Sequence, residues 1–333
     1  MAVSPPDPRP TPEQAAPPRV AVIMTCYNEG PYIGAAVRSV LDQSRAAWID
    51  AIVIADDGSD GETLAVLRDI ETWDTRIRVL YGPGGVGLPG QRRKAIAETD
   101  APVLAILDGD DLWTPDKLER QLPVLASDAA IGLVYADFCV FPDQNLGAAR
   151  RAGVLDITGD TRLSRRYFLN DPPIIPSTTL LRRAAYDAAG GFDAAVRVFE
   201  DTDFYLRLAR VTRFALVEAP LLHKRQRGSS ITGGRADLMA HHAFVALKAA
   251  ADEPALLPLV PRRLAERARK LGNQRFLLND RAGAVRLLRL AVRLDPLNRR
   301  AWQSLLAATL FPALALRLLG SGGRARQAAL GVS

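Results

Sequence analysis

Short apolar runs alternate with amphipathic segments over the first third of the chain, and this alternation constrains the fold more than any other feature. Four of the runs are predicted strands: 19–28, 48–60, 76–82 and 102–110. The intervening segments carry apolar side chains at helical spacing, which predicts three helices: 32–43, 62–73 and 89–99. Strands that alternate with helices form βαβ units, so we expect an α/β fold, doubly wound around a largely parallel sheet.

Polar or flexible residues follow each predicted strand: Asn28, Asp56 and Asp57, Gly82, and Asp108 to Asp110. In open α/β sheets, ligands bind beyond the carboxyl ends of the strands. We therefore expect these residues to share one rim of the sheet and to form the functional site there.

The stretch VLAILDGDDLW places Asp108, Asp110 and Asp111 directly after a buried strand. Neighbouring carboxylates repel each other, and each costs free energy to desolvate, so a cation is expected beside them. Mg²⁺ and Mn²⁺ are typically held by one or two carboxylates together with substrate phosphates. One of the three, Asp111, could instead cap the following helix. Three acids exceed what capping requires, and a divalent metal is the favoured interpretation.

Two further acidic stretches have both a structural and a functional interpretation. Asp56 and Asp57 begin a sequence of turn-forming residues, but a carboxylate at a strand end can also bind a base or a ribose. Tyr27, in the motif MTCYNE, offers a stacking face, which favours a nucleotide pocket. In FEDTDFYLRLA, the acids Glu200, Asp201 and Asp203 either complement a helix dipole or supply a general base.

Beyond Pro115 the pattern loosens: a helix is predicted over 116–126 and a strand over 131–141, whereas 142–176 shows no periodicity. From residue 235 onward the spacing is helical, with 17 Lys and Arg against 6 Asp and Glu, although the whole chain carries only +6. Such a region suits an anionic membrane surface or a nucleic acid, or it is simply a solvated Arg-rich face.

Within this basic region, 281–310 resembles one helix-turn-helix of a tetratricopeptide-type repeat, and one copy does not establish an array. The apolar segment 305–319 is too short to span a bilayer and contains Pro312, so it is expected to lie on a membrane surface or to cap the helices. Residues 1–18 are Pro-rich without the apolar stretch of a signal peptide, and are predicted to be a disordered leader.

Five motifs in this order resemble those of family 2 glycosyltransferases: VIMTCYNEGPYI, IADDGSDGET, GLPGQRRKAI, LAILDGDDLWTPDKL and GGFDAAVRVFEDTDFYLRLA. The resemblance covers about 19–232, nearly two thirds of the chain. It implies the GT-A fold, in which a nucleotide-binding sheet is fused to an acceptor-binding half. We accordingly expect a leader at 1–18, a GT-A domain at 19–234, and a helical C-terminal region at 235–333.

The resemblance also implies a role for each matching residue. Asp201 is the expected general base and Asp110 the metal ligand, with Mg²⁺ or Mn²⁺ as cofactor. The acceptor side is assigned to Trp113 and Glu200. Contacts with the nucleotide sugar are assigned to eight residues: Thr25, Tyr27, Glu29, Asp57, Arg92, Asp108, Arg225 and Arg227.

Two positions depart from the family pattern. Many members carry a His in the flexible loop over the donor, which corresponds here to 224–232, but this chain has Arg227 there, and His223 lies four residues earlier. The family's usual Asn is replaced by Arg93. A third protein ligand for the metal is therefore not expected, and the additional arginines are suited to bind a diphosphate directly.

The expected activity is transfer of a sugar, with inversion, from a nucleotide-sugar donor to a lipid-linked or polysaccharide acceptor in bacterial surface glycan synthesis. Only two cysteines, Cys26 and Cys139, are present, which fits a reducing compartment. We expect a cytoplasmic protein with peripheral contact to the inner membrane through its C-terminal region, and no nucleic-acid partner because that region lacks interleaved aromatic residues.

Two alternatives remain at the level of sequence. Gly82, Gly84 and Gly87 fit the G-x-G-x-x-G fingerprint between a strand and a helix, with Asp108 at the end of the next strand, as in a dinucleotide-dependent oxidoreductase. Pro83 and Pro89 stiffen that loop and argue against it. The second alternative is a catalytically silent, glycosyltransferase-like binding protein.

Overall fold

The computed structural model describes residues 19–143, 145–158, 163–170, 172–227 and 238–310. Its strands are β1 (Val20–Cys26), β2 (Ile49–Asp56), β3 (Ile77–Tyr81), β4 (Val103–Asp108), β5 (Leu112–Trp113), β6 (Ile131–Pro142), β7 (Arg150–Arg151), β8 (Leu180–Arg182) and β9 (Arg213–Gln226). Its first seven helices are α1 (Gly30–Leu41), α2 (Gly61–Ile70), α3 (Leu88–Ala97), α4 (Lys117–Ser127), α5 (Leu163–Asn170), α6 (Arg183–Ala188) and α7 (Glu200–Leu208). Four more follow: α8 (Leu238–Asp252), α9 (Val260–Leu277), α10 (Arg281–Leu294) and α11 (Arg299–Leu310).

The strands form one mixed sheet in the order β3-β2-β1-β4-β8-β6-β9-β5, with β7 paired to β6. The half that contains β1 to β4 is parallel, as predicted from the βαβ pattern. In the other half, β8 pairs antiparallel with both β4 and β6, and β9 runs parallel to β6. The α/β prediction is therefore confirmed, and the antiparallel insertion of β8 adds a mixed half that local sequence does not predict.

Both faces of the sheet are covered by hydrophobic cores, because successive residues of a buried strand point to opposite faces. On one face, Val22 and Ile52 pack with residues of α1 and α2. On the other face, Ile23 and Val53 pack with α3 and α7. Strands buried on both sides read as continuous apolar runs, which is why β1, β2 and β4 are visible in the sequence.

The C-terminal helices continue the second of these cores. Val245, Ala246 and Ala249 of α8 are buried in the same cluster as Phe204 of α7 and Phe214 of β9. Helices α9, α10 and α11 then pack on one another around small clusters that include Leu288 and Ala301. The expected helical C-terminal region is confirmed, and α8 is part of the core beneath α7.

The predicted hairpin over 281–310 corresponds to α10 and α11, which are joined at 295–298. In the part of the chain that the structure describes, no helix combines the length and the apolar character needed to cross a membrane. The predicted leader 1–18 and the end of the apolar segment, 311–319, lie outside the described residues.

Candidate active site

The parallel strands end level with one another at a single rim. Thr25 of β1 pairs with Asp108 of β4, and Cys26 pairs with Asp56 of β2. Gly109, just beyond β4, lies against the segment that follows β1. A Cβ at that position would lie 2.9 Å from the carbonyl oxygen of Thr25 and closer still to Oε2 of Glu29. The missing side chain thus brings the acidic turn after β4 against Glu29.

The acids at the end of β2 are bound mainly by backbone amides. Asp56 is fully buried, and its Oδ2 accepts hydrogen bonds from the N–H groups of Gly58 (3.0 Å) and Ser59 (3.1 Å). Asp57 accepts from the N–H groups of Val86 (3.0 Å) and Gly87 (2.8 Å). Its carboxylate therefore fixes the loop between β3 and α3, and the predicted contact between Asp57 and the nucleotide base would add to that role.

The glycine-rich loop has a structural explanation that requires no dinucleotide. A Cβ at Gly82 would lie 2.6 Å from the carbonyl oxygen of Asp56. Gly84 has a φ of +90°, and a Cβ on Gly58 would lie 2.6 Å from the Gly84 Cα. The turns after β2 and β3 therefore pack backbone against backbone, which glycine alone permits.

A buried chain of ion pairs crosses the rim from β4 to α7. Arg92 of α3 is only 1% exposed; its Nη2 lies 2.6 Å from Asp108 Oδ1, and its Nη1 lies 3.0 Å from Glu200 Oε1. Burial would raise the pKa of Asp108, but the charges of Arg92 and Lys224 outweigh it and lower that pKa. Burial raises the pKa of Glu200 to about 7, with repulsion from Asp201 adding to the shift and Arg92 opposing it.

A second cation, Arg227, neutralises the other acids of the rim. Its Nε lies 2.7 Å from Asp110 Oδ2, and its Nη2 lies 2.9 Å from Glu29 Oε1. Burial and the charge of Asp110 raise the pKa of Glu29 to about 8, while Arg227 opposes that rise. Burial likewise raises the pKa of Asp110 against the effect of Arg227. Arg227 thus holds two carboxylates together.

The end of β9 supplies further positive charge. Burial would lower the pKa of Lys224, yet Asp111, Asp110 and Asp108 outweigh it and leave that pKa raised. The next residue, Arg225, donates its backbone N–H to Asp111 Oδ1 (3.0 Å) and its Nε to the Asp110 carbonyl (2.9 Å). The side chain of Arg225 therefore fixes the acidic turn.

The acids that open α7 have different partners. Asp203 is buried and paired with Arg207 (2.7 Å) and with Lys248 of α8 (2.6 Å), so it is a structural residue. Asp201 accepts the N–H of Thr202 at 2.6 Å. Burial raises the pKa of Asp201, while the Thr202 hydrogen bond lowers it and is outweighed. Among the described residues, Asp201 is the one of the three acids that forms no ion pair with Lys or Arg, so its carboxylate is available to accept a proton.

The backbone at the start of α7 is held in an uncommon conformation. Phe199 precedes Glu200 with a φ of +61°, in the left-handed region that costs a bulky side chain free energy. Its ring stacks on His242 of α8, with the ring centroids 4.0 Å apart and an interplanar angle of 13°. Helix α8 therefore supports the turn that presents Glu200 and Asp201.

The remaining predicted residues are placed as follows. Tyr27 is 60% exposed beside the rim, whereas Thr25 is buried in β1. Trp113 is also buried, and its Nε1 donates to the Ser177 carbonyl at 2.9 Å; its assignment to the acceptor side stays a prediction. Arg93 Nη1 donates to the Phe192 carbonyl at 3.1 Å, so this guanidinium has a backbone partner, and its proposed contact with a diphosphate stays a prediction.

The loop expected at 224–232 is in part a strand. Residues 224–226 belong to β9, because Arg225 and Gln226 continue its pairing with β6, and 228–232 lie outside the described residues. His223 and Lys224 point to opposite faces of this strand. The His223 ring lies edge-on to Phe141 at 6.4 Å, so it packs beside an aromatic side chain.

The donor set at the end of β4 fits a divalent metal of the kind that the GT-A fold implies. In the described ranges, no three His, Cys, Asp or Glu side chains form a cage for an ion. Mg²⁺ and Mn²⁺ need only one or two carboxylates when substrate phosphates complete the coordination. Asp110 provides one, and the buried Oδ2 of Asp111 has no hydrogen-bond partner within the described part of the chain.

The sequence model of glycosyl transferase family 2 matches residues 21–190, which is more than half of the chain and includes the ends of β1 to β4. The chain belongs to the family 2 glycosyltransferases. It is 42% identical over 105 residues to the putative teichuronic acid biosynthesis glycosyltransferase TuaG of Bacillus subtilis, covering 32% of this chain and 41% of that protein.

Two further relatives of this glycosyltransferase cover more of its length. A β-1,3-glucosyltransferase of Escherichia coli, WfgD, is 32% identical over 127 residues, which is 38% of this chain and 48% of WfgD. The succinoglycan biosynthesis protein ExoU of Rhizobium meliloti is 28% identical over 232 residues, covering 66% of this chain and 65% of ExoU. The alignments with TuaG and WfgD thus span less than half of those relatives.

Solved structures show the same fold. TarS 1-349 of S. aureus superposes with a TM-score of 0.60 at 15% identity, covering 92% of this glycosyltransferase and 91% of TarS 1-349. The mannosyltransferase PcManGT of Pyrobaculum calidifontis, solved with GDP-Man and Mn²⁺, superposes with a TM-score of 0.60 at 19% identity, covering 98% of this glycosyltransferase and 88% of PcManGT. The GT-A prediction for this glycosyltransferase is confirmed.

Sequence reasoning missed three groups in this glycosyltransferase. The sequence places Lys224 in a loop. The run of basic residues in which it lies is the signal that could have identified it as a cationic group of the site. Phe199 and His242 carry no such signal, because an aromatic residue in the left-handed region is recognised only from the backbone. Their contribution depends on α8 packing against α7.

Proposed function

We propose that this chain transfers a sugar, with inversion, from a nucleotide-sugar donor to a hydroxyl group of a lipid-linked or polysaccharide acceptor in bacterial surface glycan synthesis. The family supports group transfer from such donors. The names of TuaG and ExoU refer to teichuronic acid and succinoglycan, and that of WfgD to a diphosphoundecaprenol-linked acceptor. TarS binds UDP-GlcNAc and PcManGT binds GDP-Man, which supports a donor of that class.

One observation carries the proposal: the buried ion pairs of Arg92 connect Asp108, on the nucleotide side, with Glu200, which adjoins Asp201. An inverting transferase must hold its base at a fixed position relative to the leaving group, on the opposite side of the anomeric carbon. Because Arg92 is 1% exposed and paired at both ends, it fixes that relation before substrate binds.

In this mechanism, Asp201 accepts the proton of the acceptor hydroxyl while that oxygen attacks the anomeric carbon. The bond from carbon to the phosphate oxygen breaks, and its electron pair leaves with the nucleoside diphosphate. The raised pKa of Asp201, which results from burial, strengthens the carboxylate as a base. Glu200 precedes Asp201 and pairs with Arg92 at 3.0 Å, which keeps Arg92 in place.

The departing diphosphate requires positive charge. A divalent metal at Asp110 would supply Lewis-acid stabilisation of the phosphate oxygens. From the protein, Lys224 and Arg227 offer cationic groups beside Asp110, and Tyr27 offers an exposed ring on which the base can stack. Asp57 and Thr25 lie at the ends of the adjacent strands and complete the proposed nucleotide side.

We extend the proposal to the location of the enzyme, which we place in the cytoplasm with its C-terminal region against the inner membrane. The exposed surface of α10 and α11 is basic and carries large apolar side chains: Arg286, Arg289, Arg293, Arg299, Arg300, Trp302, Leu306 and Leu310. Trp302, Leu306 and Leu310 follow one another at four-residue spacing and so share one face of α11. Such a face suits anionic lipid headgroups.

The first experiment is a thermal-shift screen of UDP-, GDP- and dTDP-sugars with and without Mn²⁺, since a ligand of the native state raises its melting temperature. With the donor found in this way, Asp201→Asn should retain donor affinity and lose transfer by about 100- to 10,000-fold. Loss of donor binding together with loss of the fold would make Asp201 structural. Donor binding without transfer in the wild type would favour the catalytically silent alternative.

A further inference from the structure

Arg227 lies between the two acids that flank the proposed metal position. Its Nε is 2.7 Å from Asp110 Oδ2 and its Nη2 is 2.9 Å from Glu29 Oε1. The guanidinium also lies over the ring of Tyr32, with its carbon 5.4 Å from the ring centroid. In the donor-free protein, one monovalent cation thus satisfies both carboxylates.

These two carboxylates are held together by the backbone, so their repulsion cannot be relieved by separation. Gly109 contacts the Thr25 carbonyl and Glu29 so closely that no side chain would fit. Asp110 is the next residue, and its carbonyl accepts Nε of Arg225 at 2.9 Å. A cation beside the pair, either a side chain or a bound ion, therefore favours the charged form of both acids.

The two arginines of the rim differ in how easily they can leave. Arg92 is 1% exposed, paired at both ends, and its guanidinium lies 5.3 Å from the centroid of the Phe192 ring. Arg227 is 22% exposed and follows the last residue of β9, Gln226. Only Arg227 can exchange one anionic partner for another without disturbing the core.

We propose that Arg227 neutralises Asp110 and Glu29 in the donor-free enzyme and transfers to the donor diphosphate when a divalent metal binds Asp110. The proposal rests on the proposed function. A metal alone must displace the guanidinium from Asp110 and leave it close to a dication, with Glu29 as its remaining partner. A metal that arrives with a diphosphate brings the anionic oxygens that the guanidinium then binds. Metal and nucleotide should therefore bind cooperatively, with Arg227 as the coupling residue.

The test is a titration of Mn²⁺, followed by electron paramagnetic resonance, on the full chain with and without UDP, GDP or dTDP. The wild type should bind Mn²⁺ weakly alone and more tightly with the matching diphosphate, by about 5- to 150-fold. Arg227→Gln should bind Mn²⁺ alone more tightly and the diphosphate more weakly, so that the coupling shrinks. A general loss of structure would weaken the binding of both ligands, so tighter Mn²⁺ binding together with weaker diphosphate binding excludes it.

Three controls define the outcome. Arg45→Gln removes a guanidinium that is paired with Glu119 at 2.9 Å on the surface and should leave both affinities unchanged. Arg227→Lys keeps the charge and should retain most of the coupling. The double variant Arg227→Gln/Asp110→Asn should lose the tighter Mn²⁺ binding, which assigns that binding to Asp110.

The proposal is wrong if Arg227→Gln leaves the affinity for Mn²⁺ alone unchanged, or weakens Mn²⁺ and diphosphate binding in parallel. That result leaves the proposed function intact as long as the wild type binds a nucleoside diphosphate. If the wild type binds none of the three diphosphates with Mn²⁺, the proposed function fails. The Mn²⁺ affinity of nucleotide-free Arg227→Gln still decides whether Arg227 occupies the metal position.

Discussion

The ends of β2 and β4 look alike in sequence, since each has adjacent acids and a glycine, but their carboxylates have different partners. At β2, Asp56 and Asp57 accept backbone N–H groups of the neighbouring turns. At β4, Asp108 and Asp110 are paired with the guanidinium groups of arginines. Backbone donors cannot leave without unfolding, whereas a side chain can. We therefore expect Asp56 to serve stability and Asp110 to exchange its side-chain partner for a ligand.

The largest effect is expected from Asp110→Asn. Loss of this carboxylate removes the proposed metal ligand and should lower kcat/KM by about 100- to 1,000-fold, since one element of charge stabilisation in the transition state is lost. The variant should remain folded, because the loss of the ion pair with Arg227 is offset by the removal of one of several repelling acids. Transfer assays and urea unfolding measure the two effects. If Asp110→Asn keeps its activity, or fails to fold, the proposed difference between the ends of β2 and β4 is wrong.

Asp56→Ala should produce the opposite pattern. Asp56 is fully buried and accepts hydrogen bonds from Gly58 and Ser59, so its removal leaves buried donors without partners. We expect the free energy of unfolding to fall by about 3 kcal/mol. The folded fraction should bind nucleotide with nearly unchanged affinity, as isothermal titration calorimetry can measure. A large loss of affinity in a stable variant would instead assign Asp56 to the ligand.

Stability should also depend on pH through the acids connected to β4. Burial raises the pKa of Glu200 from 4.5 to about 7, so the native state binds more protons than the unfolded chain between these values. The free energy of unfolding therefore falls as the pH rises through this window, on the order of 3 kcal/mol for this group. Glu200→Gln should flatten the profile measured by urea unfolding from pH 4.5 to 7.5. If the profile of Glu200→Gln is as steep as that of the wild type, Glu200 is not the group responsible for this pH dependence.

The smallest effect is expected at Asp60, the second acid after β2. Asp60 caps α2 by accepting the N–H of Thr63 at 2.8 Å. Asp60→Ala should reduce the free energy of unfolding by about 1 kcal/mol, and Asp60→Ser should recover most of this loss. Neither should change transfer. A transfer defect would show that the turn after β2 contributes more than a scaffold.

The parallel half of the fold could be predicted because the residues that mark each of its strands are neighbours in the sequence. β1 and β4 are buried on both faces, so apolar runs mark them to within a few residues, and turn residues mark their ends. β8 has three residues, and β9 begins in a segment with mixed burial, so neither produces a periodic pattern. Their position depends on pairing with β4 and β6, which local sequence does not encode.

The candidate site, like the fold, could be predicted only in part from the sequence. Asp108 and Asp110 could be identified because acids at the end of a buried strand are costly unless they bind a cation. The chain of ion pairs that continues from Asp108 to α7 could not, because Arg92 and Glu200 are separated by 108 positions and meet only in the folded chain. The same holds for Arg227, which the sequence assigned to donor binding and the structure pairs with Glu29 and Asp110.

The most direct test of the account is the anomalous scattering of Mn²⁺ in crystals of the full chain that contain Mn²⁺ and the nucleoside diphosphate found by the screen. We predict a peak within coordination distance of an Asp110 carboxylate oxygen, with diphosphate oxygens on the same ion and the Arg227 guanidinium no longer paired with Asp110. A bound nucleotide without a peak at Asp110, or a peak with the Arg227–Asp110 pair unchanged, would contradict it.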